Sequence, residues 1–297
     1  MVGFTGTSPS EDEDDDCVDT EMDRLPEASG ADWDAKGLEI ATVARWDPEA
    51  SGAPTLSCCS TAAAFCGPSP LPEASDSTMT HCSHEQCPYQ LLSGEPHISE
   101  ELLGLKFRIS PDAFLQVNTA GAEVLYQTIG EMIRAHKDTV LLDICCGTGA
   151  IGLSLAEQVS KVIGVEVVDQ AVEDARWNAA FNGVSNCEFH SGKAEVVLPQ
   201  LLMSWPETQP LTAVVNPSRA GLHYRVVRAI RNCEAIRRLV YVSCKPEGEA
   251  MRNFLEFCCP PDTGKKLKGE AFAPVSAVPV DLFPHTSHCE LLLLLAR

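Results

Sequence analysis

Residues 140–153, VLLDICCGTGAIGL, decide how the rest of the chain is read. Val140, Leu141 and Leu142 form an apolar run closed by Asp143, the pattern of a short buried strand. The chain then turns through Cys145, Cys146, Gly147, Thr148 and Gly149, and Ile151, Leu153, Leu155 and Ala156 open an apolar helical pattern. Glycines at 147 and 149 allow a tight turn and a close approach of backbone to ligand. The helix behind them points its unpaired N–H groups into the same space. Strand, glycine loop and helix in this order make a cradle for a nucleoside-bearing cofactor.

Gly147-x-Gly149-x-x-Gly152 also matches the dinucleotide fingerprint. A dinucleotide site turns almost at once from strand to glycine, whereas here an acid and two cysteines intervene. A carboxylate at Asp143 opposes a pyrophosphate but suits the ammonium and sulfonium of S-adenosylmethionine. The loop therefore favours a methyltransferase over a nicotinamide-dependent dehydrogenase, and a purely structural α/β unit comes third.

The formal charge of −20 is unevenly spread. Residues 1–100 carry 20 acidic and 3 basic side chains, and residues 101–297 carry 22 and 19. An acidic pI argues against a nucleic-acid partner, but that argument lapses once the acidic part is a separate tail. Residues 1–80, with the block from Glu11 to Asp16 and then much Ser, Gly, Ala and Pro, bury too little apolar surface to offset ordering entropy and are expected to be disordered. No apolar leader and no bilayer-length run is present in the sequence, so no membrane partner is expected. Adjacent pairs among the 14 cysteines make a poor disulfide framework and read as free thiols in a reducing compartment. His81-Cys82-x-His84-x-x-Cys87 lacks a spaced second pair, so no metal is expected there.

Order begins near Tyr89. Leu102, Leu103, Leu105, Phe107 and Ile109 suggest one strand bounded by Pro111, and Thr119 is expected to cap a helix from Ala120 to about Ala135. Gln116 and Asn118 are compatible with turn chemistry or with an amide aimed at a ligand. Further strands are expected at 161–166, 187–190, 211–215 and 239–242, with helices over 169–182 and 223–238 and a closing hairpin at 275–280 and 290–295. Strands alternating with helices, closed by an antiparallel pair, give the doubly wound α/β pattern. Arg225, Arg228 and Arg231 recur every third residue on the 223–238 helix. They make either a solvated charged face or a phosphate-binding stripe.

In open α/β sheets the ligand lies beyond the C-terminal ends of the strands. Asp143, Glu166, Asn216 and Cys244 all fall at such ends. Glu166 at the tip of the second strand is placed to accept the two hydroxyls of a ribose. Cys244, at a strand exit between Ser243 and Lys245, reads as a nucleophile rather than a buried apolar thiol.

Five segments occur in order. They are FRISPDAFLQVNT (107–119), the loop at 143–149, NPSRAGL (216–222), VSCKP (242–246) and DLFPHTSHCE (281–290). Together they closely resemble the RNA uracil-5-methyltransferases over about residues 88–297. The asparagine at 216 and the lysine at 245 look most like the family's mitochondrial vertebrate branch. The resemblance implies a Rossmann-like S-adenosylmethionine-dependent methyltransferase domain at 138–297. Residues 88–137 would be the remnant of an accessory domain. It implies Cys244 as the nucleophile that adds to uracil C6, Glu290 as the general base, and Gln116, Glu166 and Asn216 as cofactor-binding residues. It further implies RNA partners (tRNA, and mitochondrial ribosomal RNA), a mitochondrial location and a monomer. A truncated relative that binds RNA with weak catalysis is the alternative. The chain departs from the family in three ways: it has Asn-Pro-Ser-Arg for the usual Asp-Pro-Pro-Arg, Lys245 for the usual Asn, and only a few dozen ordered residues where a β-rich RNA-binding portion is expected upstream. A family-like cysteine pattern for an iron–sulfur cluster is also missing.

Overall fold

The computed structural model describes residues 79–80, 89–91, 93–206 and 208–297. The acidic block, most of the segment expected to be disordered, and the 81–87 His/Cys cluster lie outside the described residues. The elements run β1 (Met79–Thr80), β2 (Tyr89–Gln90), β3 (Ile98–Leu102), β4 (Leu105–Ile109), α1 (Thr119–Ile133), β5 (Val140–Ile144) and α2 (Ala150–Leu155). They continue with β6 (Lys161–Glu166), α3 (Asp169–Phe181), β7 (Cys187–Ser191), α4 (Ala194–Met203) and β8 (Leu211–Val215). The last are α5 (Tyr224–Asn232), β9 (Ile236–Ser243), α6 (Glu249–Cys258), β10 (Ala273–Val280) and β11 (Glu290–Ala296).

Seven strands form one sheet in the order β10-β11-β9-β8-β5-β6-β7. β9, β8, β5, β6 and β7 are parallel, and β11 and β10 close the sheet antiparallel. The expected doubly wound sheet with its C-terminal hairpin is thus present. Side chains alternate across it, so each strand feeds two cores. Leu141, Val162, Val214, Val240, Val242, Leu292 and Leu294 join the core under α1, α2 and α3. Leu142, Ile163, Val215, Tyr241 and Leu295 join the core under α4, α5 and α6. Strand order reverses between β5 and β8, which is where a ligand crevice opens in such sheets.

Three local readings change. The strand expected at 102–109 is a hairpin, β3–β4, because Leu103 and Gly104 both take positive φ (51° and 75°) and turn the chain back. α1 is capped by Asn118, whose Oδ1 accepts from the Gly121 amide at 3.0 Å, while Thr119 Oγ1 reaches Glu100 at 3.0 Å instead. The helix expected over 223–238 stops at Asn232, so Arg237 and Arg238 lie on β9.

The β3–β4 hairpin is joined to the fold by α3. Asp174, Asn178 and Asn182, one helical turn apart, face Lys106, Arg108 and Ser110 at every second residue of the β4 segment. Asn182 bonds the Lys106 N–H and C=O at 2.9 and 2.8 Å. Asn178 bonds those of Arg108 at 2.7 and 3.2 Å. Asp174 accepts from the Ser110 amide at 2.7 Å and pairs with the Arg108 guanidinium at 2.8 Å. Helix side chains thus satisfy an edge that another strand would otherwise pair.

Candidate active site

The glycine loop leaves β5 with its backbone bent over the end of β6. The amides of Cys145 and Cys146 both donate to the Val165 carbonyl, at 2.8 and 3.1 Å, and Cys145 takes a positive φ of 64° to do so. Gly149 is the N-cap of α2 at φ 81°, a conformation that a side chain would strain. Gly152 is required by proximity: a Cβ there would stand 2.7 Å from Val162 Cγ1. Residues 111–118 pass over the loop, with the Phe114 carbonyl 3.8 Å from where a Gly147 Cβ would be. In that crossing segment Gln116 is buried while Phe114 is exposed.

Asp143 is fully buried. Its Oδ2 accepts from the Gly152 amide at 3.0 Å and its Oδ1 has no partner. Burial, opposed by that hydrogen bond and helped by the charge of Glu166, pushes its carboxyl up to about 7. The residue expected to face a ligand ammonium is therefore first a tie between β5 and the start of α2. Glu166 closes the other side of the loop. It accepts from the amides of Gly147, Val167 and Val168 at 2.9, 2.8 and 3.0 Å, binding the tip of β6 to the glycine turn.

Asn216 follows β8, and its amide continues the ladder to the Ile144 carbonyl at 3.2 Å. The loop after it is held from α6 by Asn253. Its Oδ1 accepts from the Leu222 amide at 2.7 Å and from the Tyr241 hydroxyl at 2.9 Å, while its Nδ2 donates to the Leu222 carbonyl at 3.1 Å. Cys244 follows β9 and is half-buried, while Glu290 opens β11 and is buried. Leu291 pairs with Ser243 as the last rung of the antiparallel ladder, so Glu290 and Cys244 are the next residues at the same end of the β9–β11 pair.

Strand alternation decides which face these groups share. Asp143 is two residues from Leu141, Glu166 four from Val162, Asn216 two from Val214, Cys244 two from Val242 and Glu290 two from Leu292. All five reference residues belong to the α1-side core. Asp143, Glu166 and Glu290 therefore share that face at the crevice end, where Asn216 and Cys244 leave β8 and β9. Sequence reasoning missed a sixth, Tyr126 of α1, because an aromatic on a helix reads as core. It is buried, and the charges of Asp143 and Glu290 both add to the burial that raises its phenol above the ordinary value.

Burial alone pushes Glu290 up to about 7, and among the described residues no donor bonds its side chain. Burial also pushes the Cys145 thiol up to about 12, with Glu166 and Asp143 adding to the effect. Cys145, Cys146, Cys187, Cys244, Cys258, Cys259 and Cys289 are free thiols. The arginine stripe does not survive as one surface. Arg231 is fully buried, with Nη1 donating to the carbonyls of Glu256, Phe257 and Cys259, while Arg225 is exposed. Among the described residues, no group of acids, histidines and cysteines is arranged to hold a metal, and no helix is long and apolar enough to cross a membrane.

A family model described as "Methyltransferase domain" matches residues 135–208, with the glycine loop near the start of that stretch. The tRNA (uracil-5-)-methyltransferase homolog B of Mus musculus is 67% identical over 222 residues, covering 75% of this chain and 45% of that protein. Homolog A of the same species is 52% identical over 215 residues, covering 72% of this chain and 34% of that protein. Over this stretch the chain is a relative of the tRNA (uracil-5-)-methyltransferases. Its backbone agrees with the crystal structure of Pyrococcus abyssi tRNA (uracil-54, C5)-methyltransferase in complex with S-adenosyl-L-homocysteine. The TM-score is 0.55 and the identity 29%, over 69% of this chain and 45% of that one. The chain spans about half the length of the tRNA (uracil-5-)-methyltransferases homolog B that it matches.

Proposed function

We propose that this chain methylates C5 of a uridine in RNA, with tRNA as substrate and S-adenosylmethionine as methyl donor. The register that brings Glu290 and Cys244 to the same end of the β9–β11 pair, beside the end of the sheet that bears the glycine loop, carries the reading. The donor suits the cradle. Asp143 keeps one fully buried oxygen without a partner, and the nearest atom to a Cβ built on Gly147 is a carbonyl 3.8 Å away. Gln116, Glu166 and Asn216 would hold it there, where it supplies an electrophilic methyl group on a sulfonium.

Uracil C5 is a poor nucleophile, so the ring has to be activated. The Cys244 thiolate adds to C6 and the electron pair moves into the ring as an enolate, which makes C5 nucleophilic enough to take the methyl. Glu290 then removes the proton from C5, and elimination breaks the C6–sulfur bond and returns Cys244. A carboxyl held near 7 by burial is matched to accepting that proton near neutral pH. Attack on the ring requires a base splayed from its stack.

By family resemblance the target is the T-loop uridine, with mitochondrial ribosomal RNA as a further substrate and the mitochondrion as the location. Residues 138–297 would be the methyltransferase domain and 88–137 the remnant of an accessory domain. The test is mass spectrometry of unmodified tRNA incubated with the chain and labelled S-adenosylmethionine. Labelled 5-methyluridine supports the reading. Cofactor binding with no label in RNA would favour the second reading, a relative that keeps the fold but not the turnover.

A further inference from the structure

Half of the chain's 22 lysines and arginines stand between positions 219 and 268, with five carboxylates among them. Some of these cations are occupied: Arg252 pairs with Glu249 at 3.0 Å, Arg237 with Glu270 at 4.0 Å, and Arg231 is sunk among carbonyls. Arg228, Lys265, Lys266 and Lys268 form no ion pair among the described residues, and the three lysines are exposed. Three of them, Arg228, Lys265 and Lys266, line one cavity of about 400 Å³ between α5 and the 262–267 loop. The cavity also holds one opposing charge, Glu256, whose Oε2 is buried without a partner, so cations outnumber carboxylates there three to one.

The loop is built rather than loose. Asp262 and Leu267 exchange both backbone hydrogen bonds at 2.8 Å, and Asp262 Oδ1 accepts from the amides of Gly264 and Lys265 at 2.8 and 3.2 Å. Asn232, at the end of α5, donates to the Lys266 carbonyl at 3.0 Å and accepts from the Lys268 amide at 2.8 Å. Buried Leu267 anchors the turn, leaving the lysines outside it. At the other end of the cavity Tyr224 is 52% exposed, with the guanidiniums of Arg225 and Arg228 at 5.9 and 5.8 Å from its ring centroid. An aromatic face between fixed cations, continued by unpaired lysines, suits a polyanion that also carries stacking rings. α5 begins two residues after Leu222, at the crevice end of the sheet, and packs on the face opposite α1, so the groove lies where a strand would pass over the rim that bears Asn216.

We propose that the groove between α5 and the 262–268 loop binds the sugar–phosphate backbone of the RNA substrate as it leaves the splayed uridine. The proposal rests on the RNA reading above and adds where the strand runs. The test is titration of a labelled, unmodified tRNA transcript with the full chain at several salt concentrations. The comparison is with the double variant Lys265→Ala/Lys266→Ala and with Arg228→Ala, while S-adenosylhomocysteine binding reports an intact fold. Each lost phosphate contact should flatten the plot of log affinity against log salt by about 0.7–0.9. Affinity should fall about tenfold in low salt for the double variant, as expected for lost counterion release. Lys265→Arg/Lys266→Arg should restore both.

Parallel curves for parent and variants would overturn the groove while leaving the methyltransferase reading standing. A parent chain that binds no tRNA would overturn both. Loss of polyglutamate binding with an unchanged tRNA curve would assign the groove to an acidic polypeptide and overturn the proposal.

Discussion

Glu166 and Glu290 are the same residue type at two mouths of one crevice, and the protein treats them in opposite ways. Glu166 accepts three backbone N–H bonds and serves as a rivet between β6 and the glycine turn. Glu290, at the junction of β9 and β11, has no bonding donor among the described residues, and burial lifts it to about 7. A carboxylate surrounded by donors is held still. A buried carboxylate without donors has a proton affinity near neutrality, which a general base requires. The parallel half of the sheet thus fixes its carboxylate, and the antiparallel junction leaves its carboxylate without a donor among the described residues.

The strongest test of that division is Cys244→Ala, which should abolish both methylation and any covalent RNA–protein species on a denaturing gel. A surviving adduct would move the nucleophile elsewhere, though burial already disfavours the Cys145 thiol. Glu290→Gln should leave the adduct able to form and then persist, with turnover lower by about 10²–10⁴-fold, the usual cost of losing a general base. Full turnover in that variant would make Glu290 as structural as Glu166.

Glu166→Ala should weaken S-adenosylmethionine binding by about 1–3 kcal/mol, read by calorimetry, since a charged acceptor is lost and three amides are left unpaired. Glu290→Gln should not change that binding, and an equal loss in both variants would erase the contrast. In single-turnover assays the parent's rate of adduct resolution should climb as pH rises through about 7, as Glu290 loses its proton.

The smallest effect concerns stability. Glu290 titrates higher folded than its ordinary 4.5, so the folded chain binds more protons across that interval. Its contribution is present below 4.5 and is lost as pH rises towards about 7. Thermal midpoints of Glu290→Gln should therefore vary less with pH than those of the parent, and equal slopes would remove Glu290 from the linkage.

The sheet was legible because its strands are apolar runs punctuated by turn residues, and four of its crevice residues, Asp143, Glu166, Asn216 and Cys244, could be placed by strand ends alone, while Glu290 needed the family resemblance. Alternation along those strands, which gathers Asp143, Glu166 and Glu290 on one face, was present in the same letters but needed the core assignment to be oriented. Leu103 gave no sign of its positive φ, since leucine is a poor residue for that conformation, so a hairpin read as one strand. Arg231 was unreadable for a different reason. Spacing on a helix reports which residues are neighbours, not how deep the neighbouring chain wraps, and carbonyls that hold a guanidinium have no letter in the sequence. Tyr126 was hidden by its ordinariness.

The stripe of Asp174, Asn178 and Asn182 on α3 has a consequence for how this protein tolerates change. It grips β4 largely by amide and carbonyl groups that every residue except proline supplies in full. The joint is a socket for an extended segment of any composition, and outward-facing residues of the hairpin can drift while it stays closed. Three helix positions carry the memory of that junction. A variant there would release the hairpin, and with it the segment that crosses the glycine loop, without altering any residue of either.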